Sequence, residues 1–157
     1  MYIYNQKISM PLMHAALTDP DFGFDIRDEN GHNIRIDIPV SQGGGGTGFR
    51  PMQTMLAALC GCSGVDIVSI LKKQKQDLKG LEIKVDGERE KGKEPSLWET
   101  LYVRFEITGA VEPGKAWRAA DLSINKYCSV AETLRRAGAV INWSVVVNGE
   151  EVNTNQD

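Results

Sequence analysis

From Met52 to Leu71 the chain is apolar or small at nearly every position, with polar breaks only at Gln53, Thr54, Ser63, Asp66 and Ser69. Pro51 precedes the run, and proline suits a first helical turn, where a missing N–H costs nothing. Lys72, Lys73, Gln74, Lys75 and Gln76 follow it, which places cations at the negative end of the helix dipole. The pattern predicts a central helix within Pro51–Gln76 that is apolar on almost every side and so must be covered. Asp66, Gly61 and Gly64 argue for cover by protein rather than lipid, as does the lack of ~20 uninterrupted apolar residues.

Period-two patterns flank this helix. Phe22, Phe24 and Ile26 alternate with other residues, as do Ile34, Ile36 and Ile38, around an Asn30-Gly31 hairpin signal. Residues 2–9 could begin with a strand, and Met10 to Pro20, with His14 and two prolines, suggests a loop or short helix. Gln42 to Gly48 holds four consecutive glycines. It lacks the Gly-Lys-Ser/Thr ending and the preceding strand of a phosphate loop, and is expected to be a flexible lead-in to the helix. After the helix, Leu81, Ile83 and Val85 predict one strand, and Leu101, Val103, Phe105 and Ile107 a longer one. Residues 86–96 form the expected solvated connection between them. Trp117, Ala120, Ile124 and Tyr127 predict a helical region from Pro113 to Tyr127. Ser129 and Glu132 have capping-box spacing for a further helix that Gly138 would end. Ile141, Trp143, Val145 and Val147 then alternate into a last strand before an Asn148-Gly149 turn. Segregated strands and helices predict an α+β fold.

Length and composition add boundaries. With 157 residues, 41% hydrophobic and 25% charged, residues 1–157 are expected to form a single domain. A net charge of −3 gives no reason to expect nucleic acid. Met1 to Met10 lacks the basic start and apolar run of a signal peptide, so the expected location is the cytoplasm, with no membrane partner. Three cysteines are an odd count, which is not a disulfide scaffold.

Those cysteines carry the chemistry. Cys60 and Cys62 lie two apart on the helix and point about 200° away from each other, so one site can engage only one of them. A C-x-C pair on a regular helix binds zinc poorly, and His14 and His32 fall in irregular or turn regions. Neither a metal nor a cofactor is expected. Cys128 sits immediately before Ser129, the expected N-cap, where free N–H groups and the positive helix end would lower its pKa from about 8.5. By composition alone a lone cysteine is more often buried filler than a nucleophile.

Ala57-Ala58-Leu59-Cys60-Gly61-Cys62-Ser63-Gly64-Val65-Asp66-Ile67-Val68-Ser69-Ile70-Leu71, with Asp121-Leu122-Ser123-Ile124-Asn125-Lys126-Tyr127-Cys128-Ser129-Val130 downstream, resembles the OsmC-like family, which includes the organic hydroperoxide resistance proteins. The likeness runs from about Pro51 to Trp143. It implies antiparallel sheets enclosing the long central helix in an intertwined homodimer, with two sites at the subunit interface. It also implies a peroxidatic cysteine at Cys62 and a resolving cysteine at Cys128, with no role for Cys60. Peroxidase members carry a glutamate directly after the helix-opening proline, which helps to organise a catalytic arginine; here that position is Met52, followed by Gln53. Arg27, Arg35, Arg50 and Arg89 remain open for the arginine, and Arg50, Met52 and Gln53 are the candidate substrate-binding positions. Asp66, one turn beyond Cys62, would raise the pKa of that thiol unless a cation offsets it; the role expected of Asp66 is a hydrogen bond to backbone or across an interface.

The resemblance implies a thiol-dependent peroxidase that reduces organic hydroperoxides through a Cys62 sulfenic acid and a Cys62–Cys128 disulfide, which an external dithiol reduces. One alternative is a redox-sensing or small-ligand-binding dimer with little turnover; a third reading, which the residue spacing disfavours, is a metal-binding protein using Cys60, Cys62 or Cys128. The peroxidase reading expects the two thiols in mutual reach, in apolar surroundings that hold at least one Arg or Lys and open to solvent.

Overall fold

A computed structural model describes residues 11–153 of the protein, so the strand expected within residues 2–9 lies outside the described residues. The chain forms two compact units that divide after Thr54, in the first turn of helix α1 (Pro51–Lys73).

The first unit is a three-stranded antiparallel sheet of β1 (His14–Leu17), β2 (Phe24–Arg27) and β3 (Asn33–Ile36), in the order β1-β2-β3. The Asn30-Gly31 turn closes the β2–β3 hairpin, with Gly31 at φ 86° and Asp28 Oδ1 accepting the N–H groups of Asn30 and His32. His14–Leu17 is a strand rather than the expected loop or short helix. Its sequence, His-Ala-Ala-Leu, shows no alternation and is exposed throughout, and pairing against β2 decides its conformation.

The glycine-rich loop takes up a defined, hydrogen-bonded conformation. Val40–Gln42 make a 3-10 turn, and Gly43 (φ 92°) and Gly46 (φ 64°) occupy the left-handed region. Asp37, only 1% exposed, organises the loop. Its carboxylate accepts the Ile38 N–H at 2.7 Å, the Thr47 N–H at 3.0 Å and the Thr47 hydroxyl at 2.7 Å. Those bonds, the Thr47 N–H first, hold its pKa down to about 2. A Cβ on Gly44 would lie 2.3 Å from the Ile38 carbonyl oxygen, so glycine is required there by close approach as well.

The second unit is built on a four-stranded sheet in the order β4-β5-β6-β7, comprising β4 (Asp77–Arg89), β5 (Trp98–Ala110), β6 (Val140–Val147) and β7 (Glu150–Glu151). The connection between β4 and β5 is 90–97 rather than the expected 86–96, because β4 runs on to Arg89. The β4–β5 and β6–β7 pairs are antiparallel, whereas β5 and β6 run parallel from Thr100↔Val140 to Ile107↔Val147. A parallel pair needs a long crossover. Helices α2 (Pro113–Leu122) and α3 (Ser129–Arg136) supply it.

Leu101, Val103, Phe105 and Ile107 line the buried face of β5, and Val145 and Val147 of β6, the register partners of Phe105 and Ile107, join them. On α1 the buried residues are Leu59, Ser63, Ile67 and Leu71, one stripe at i, i+4 spacing. Gly64 faces β4, where an added Cβ would stand 3.0 Å from Ile83 Cδ1. The helix expected to be buried all round is therefore covered along one stripe by its own chain. Ala57, Ala58, Gly61 and Val65 are exposed. By length and composition α1 could also cross a bilayer, but a buried stripe that includes Ser63, beside the half-buried Asp66, is the pattern of a core helix.

Candidate functional site: a thiol pair between α1 and α3

Cys62 and Asp66 are four residues apart on α1 and so share one face of it. The downstream thiol arrives by a less regular route. After α2 the chain widens into a π turn, Ser123–Tyr127, closed by the Cys128 N–H donating to the Ser123 carbonyl at 2.8 Å. Arg135 pins this turn, its Nη2 donating to the Ile124 carbonyl at 2.7 Å and to Asn125 Oδ1 at 2.9 Å. The fully buried Ser123 reaches α1 from the turn, donating to Asp66 Oδ2 at 3.0 Å and lying 3.3 Å from the Ser63 carbonyl oxygen.

Cys128 itself is the N-cap of α3. It has extended backbone (φ −70°, ψ 102°), and its sulfur accepts the Ala131 N–H at 3.4 Å. The cap is therefore Cys128 rather than the expected Ser129, which is already the first residue of α3. Glu132 makes no capping box and instead accepts from Arg136 Nε at 2.8 Å.

The turn brings three groups together. Cys62 Sγ, an Asp66 carboxylate oxygen and Cys128 Sγ all lie within 4.8 Å of one another. Cys62 is half-buried and Cys128 only 3% exposed. Burial pushes the Cys128 thiol up to about 11; the Ala131 N–H works against that shift, and the neighbouring Cys62 adds to it. The expectation of a lowered Cys128 pKa is therefore corrected, since the helix N-terminus is present but desolvation outweighs it. Cys60 is outside the cluster, as its angle on the helix requires, and partial burial raises its thiol pKa.

A groove of about 300 Å³ opens beside Cys128, lined by Lys126, Tyr127, Glu132, Thr133 and Arg136 among others. Two cations line it, Lys126 with its Nζ 5.3 Å from the Tyr127 ring centroid and Arg136 with its Nε donating to Glu132. The lining is mainly polar rather than apolar. Arg136 and Ser123 were not singled out from sequence; Ser123 lies within the quoted motif, but only a π turn explains how a residue five before Cys128 serves the same site.

The other sequence candidates stand in the first unit or in hairpins. Arg35 is committed to Asp19 (2.7 Å), Asp25 (3.0 Å), Thr18 and Thr47, where it ties the first sheet to the glycine loop. Arg89 bonds the Ser96 carbonyl and lies over Trp98, and Arg27 is exposed. Gln53 Oε1 accepts the Arg50 N–H at 3.1 Å, closing the first turn of α1, and Met52 between them is half-buried.

Comparison with known proteins places this arrangement. Residues 43–144 match the family described as OsmC-like protein. Protein YhfA of Escherichia coli (strain K12) is 38% identical over 112 residues, which are 69% of this chain and 78% of that protein. A hypothetical protein from Aquifex aeolicus VF5 superposes with a TM-score of 0.73 at 28% identity, covering 90% of this chain and 99% of that one. An organic hydroperoxide resistance protein OsmC from Legionella pneumophila has a TM-score of 0.68 at 17% identity over 89% and 98% of the two chains, a likeness of fold alone. The matched segment carries both thiols, α1 and the crossover helices, and the chain belongs to the OsmC-like family.

Proposed function

We propose that the protein is a redox stress enzyme that reduces organic hydroperoxides with Cys62 and Cys128. The observation that supports this reading most is the meeting of two sulfurs 66 positions apart in sequence, one on α1 and the other at the end of a π turn. A fold shared with a protein named for organic hydroperoxide resistance supports the choice of substrate class. In the cycle, the Cys62 thiolate attacks the terminal peroxide oxygen, the O–O bond breaks, and the alcohol leaves with a proton. The resulting sulfenic acid is attacked by Cys128; the S–S bond forms and the hydroxyl leaves as water with the Cys128 proton. An external dithiol returns both thiols by two exchanges, a step suited to the reducing cytoplasm.

The acting unit in this proposal is a homodimer. The exposed face of α1 formed by Ala57, Ala58, Gly61 and Val65 is small and apolar, which suits close cover by a second copy. A partner chain would also supply the apolar side of the substrate pocket that the groove beside Cys128 lacks.

One observation favours a second reading. Met52 cannot hold a guanidinium as the family glutamate does, which fits a sensor or ligand-binding dimer with little turnover. Peroxide consumption driven by a dithiol separates the two readings. The enzyme reading expects turnover of an organic hydroperoxide that is abolished in Cys62→Ser. Oxidation limited to a single equivalent per chain would favour the sensor.

A further inference from the structure

We propose that the reduced protein binds one thiophilic divalent ion of the zinc class through Cys62 Sγ, Cys128 Sγ and the Asp66 carboxylate. Cys60 and Cys62 cannot hold an ion as a pair, because they point about 200° apart on the helix. The structure sets Cys60 aside and assembles a different donor set, with two ligands one turn apart on α1 and a third at the start of α3.

Geometry and chemistry both fit. Zinc–sulfur bonds of about 2.3 Å and zinc–oxygen bonds of about 2.0 Å in a tetrahedron need ligand separations of roughly 3.5–3.8 Å. The three donor atoms already lie within 4.8 Å of one another, so a contraction of about 1 Å completes the set by side-chain rotation. Two sulfurs and one carboxylate are a donor set zinc accepts, and three protein ligands leave a fourth position open. Supporting contacts are already in place. Ser123 donates to Asp66 Oδ2 at 3.0 Å and fixes the carboxylate, and the Ala131 N–H points at the Cys128 sulfur at 3.4 Å, where it would stabilise a thiolate. Binding the ion releases one proton from each thiol to solvent and places a +2 ion against two thiolates and a carboxylate.

The consequence is competition. The ion and the disulfide use the same two sulfurs, so bound metal blocks peroxide chemistry and disulfide formation expels the metal.

Cobalt(II) is the probe, added to the reduced full-length protein under anaerobic conditions. The expected result is a thiolate-to-cobalt charge-transfer band that saturates at one equivalent per chain and is displaced by zinc. The band should vanish in Cys62→Ser and in Cys128→Ser and persist in Cys60→Ser, and Asp66→Asn should weaken binding by about tenfold or more. In wild type, zinc should protect two of the three thiols from a thiol reagent, a readout independent of any variant's folding. No band and no protection in the folded wild type would overturn the proposal, as would a band that depends on Cys60. No step uses peroxide, so the two proposals fail separately: metal binding without turnover defeats the peroxidase reading alone, and turnover without metal binding defeats this one.

Discussion

At Cys128 two influences oppose each other, and their balance has a measurable sign. The N-terminus of α3 favours the thiolate, while near-complete burial favours the thiol and dominates, raising the pKa from 9.0 to about 11. The folded state thus holds this proton more tightly than the unfolded chain does. Its stabilising contribution is whole below pH 9.0 and is lost as pH rises through about 11. Denaturant unfolding between pH 8 and 11 should show this loss in wild type and a smaller one in Cys128→Ser, which keeps an N-cap oxygen. Equal slopes would mean that Cys128 is not held as a thiol. At neutral pH such a group suits the resolving step, where it attacks an already oxidised partner. Cys60 should be dispensable, and Cys60→Ala is expected to leave peroxide-driven disulfide formation intact by non-reducing peptide mapping.

The elements differ in how plainly the sequence announces them. The alternation Leu101, Val103, Phe105, Ile107 became the buried face of β5, and the apolar run from Met52 became α1, because burial imposes those periods directly. Phe105 is fully buried, and Phe105→Ala should cost about 3–5 kcal/mol in denaturant unfolding. The π turn was not legible: its one extra residue depends on Arg135 and Asp66 reaching it from other elements, and no local pattern marks it. The conformation of the glycine loop was not legible for a related reason, since it is held by Asp37, a buried carboxylate in a stretch that otherwise resembles a strand end. That carboxylate gives a prediction at the acid end. With its pKa lowered from 3.8 to about 2, its contribution is complete above 3.8 and lost as pH falls through about 2. The stability gap between wild type and Asp37→Asn should narrow across that window; a gap independent of pH would show that the charge on Asp37 is not what holds the loop.

For the whole molecule, the thiol site was half legible. The two motifs pointed to Cys62 and Cys128, while Ser123 and the polar groove beside Cys128 emerged only from the fold. The proposed assembly follows from what a single chain leaves uncovered: α1 buries one stripe of its apolar surface, and Val65 remains 71% exposed. Light scattering after size exclusion should give twice the chain mass at micromolar concentration, and Val65→Asp should shift it toward the monomer. The most direct test of the central claim is the product of one equivalent of an organic hydroperoxide on the reduced protein, read by intact mass and peptide mapping. The account predicts the loss of two hydrogens per chain and a single Cys62–Cys128 disulfide, with Cys60 still alkylatable. A stable oxidised Cys62 with Cys128 unchanged, or oxidation that falls first on Cys60, would contradict it.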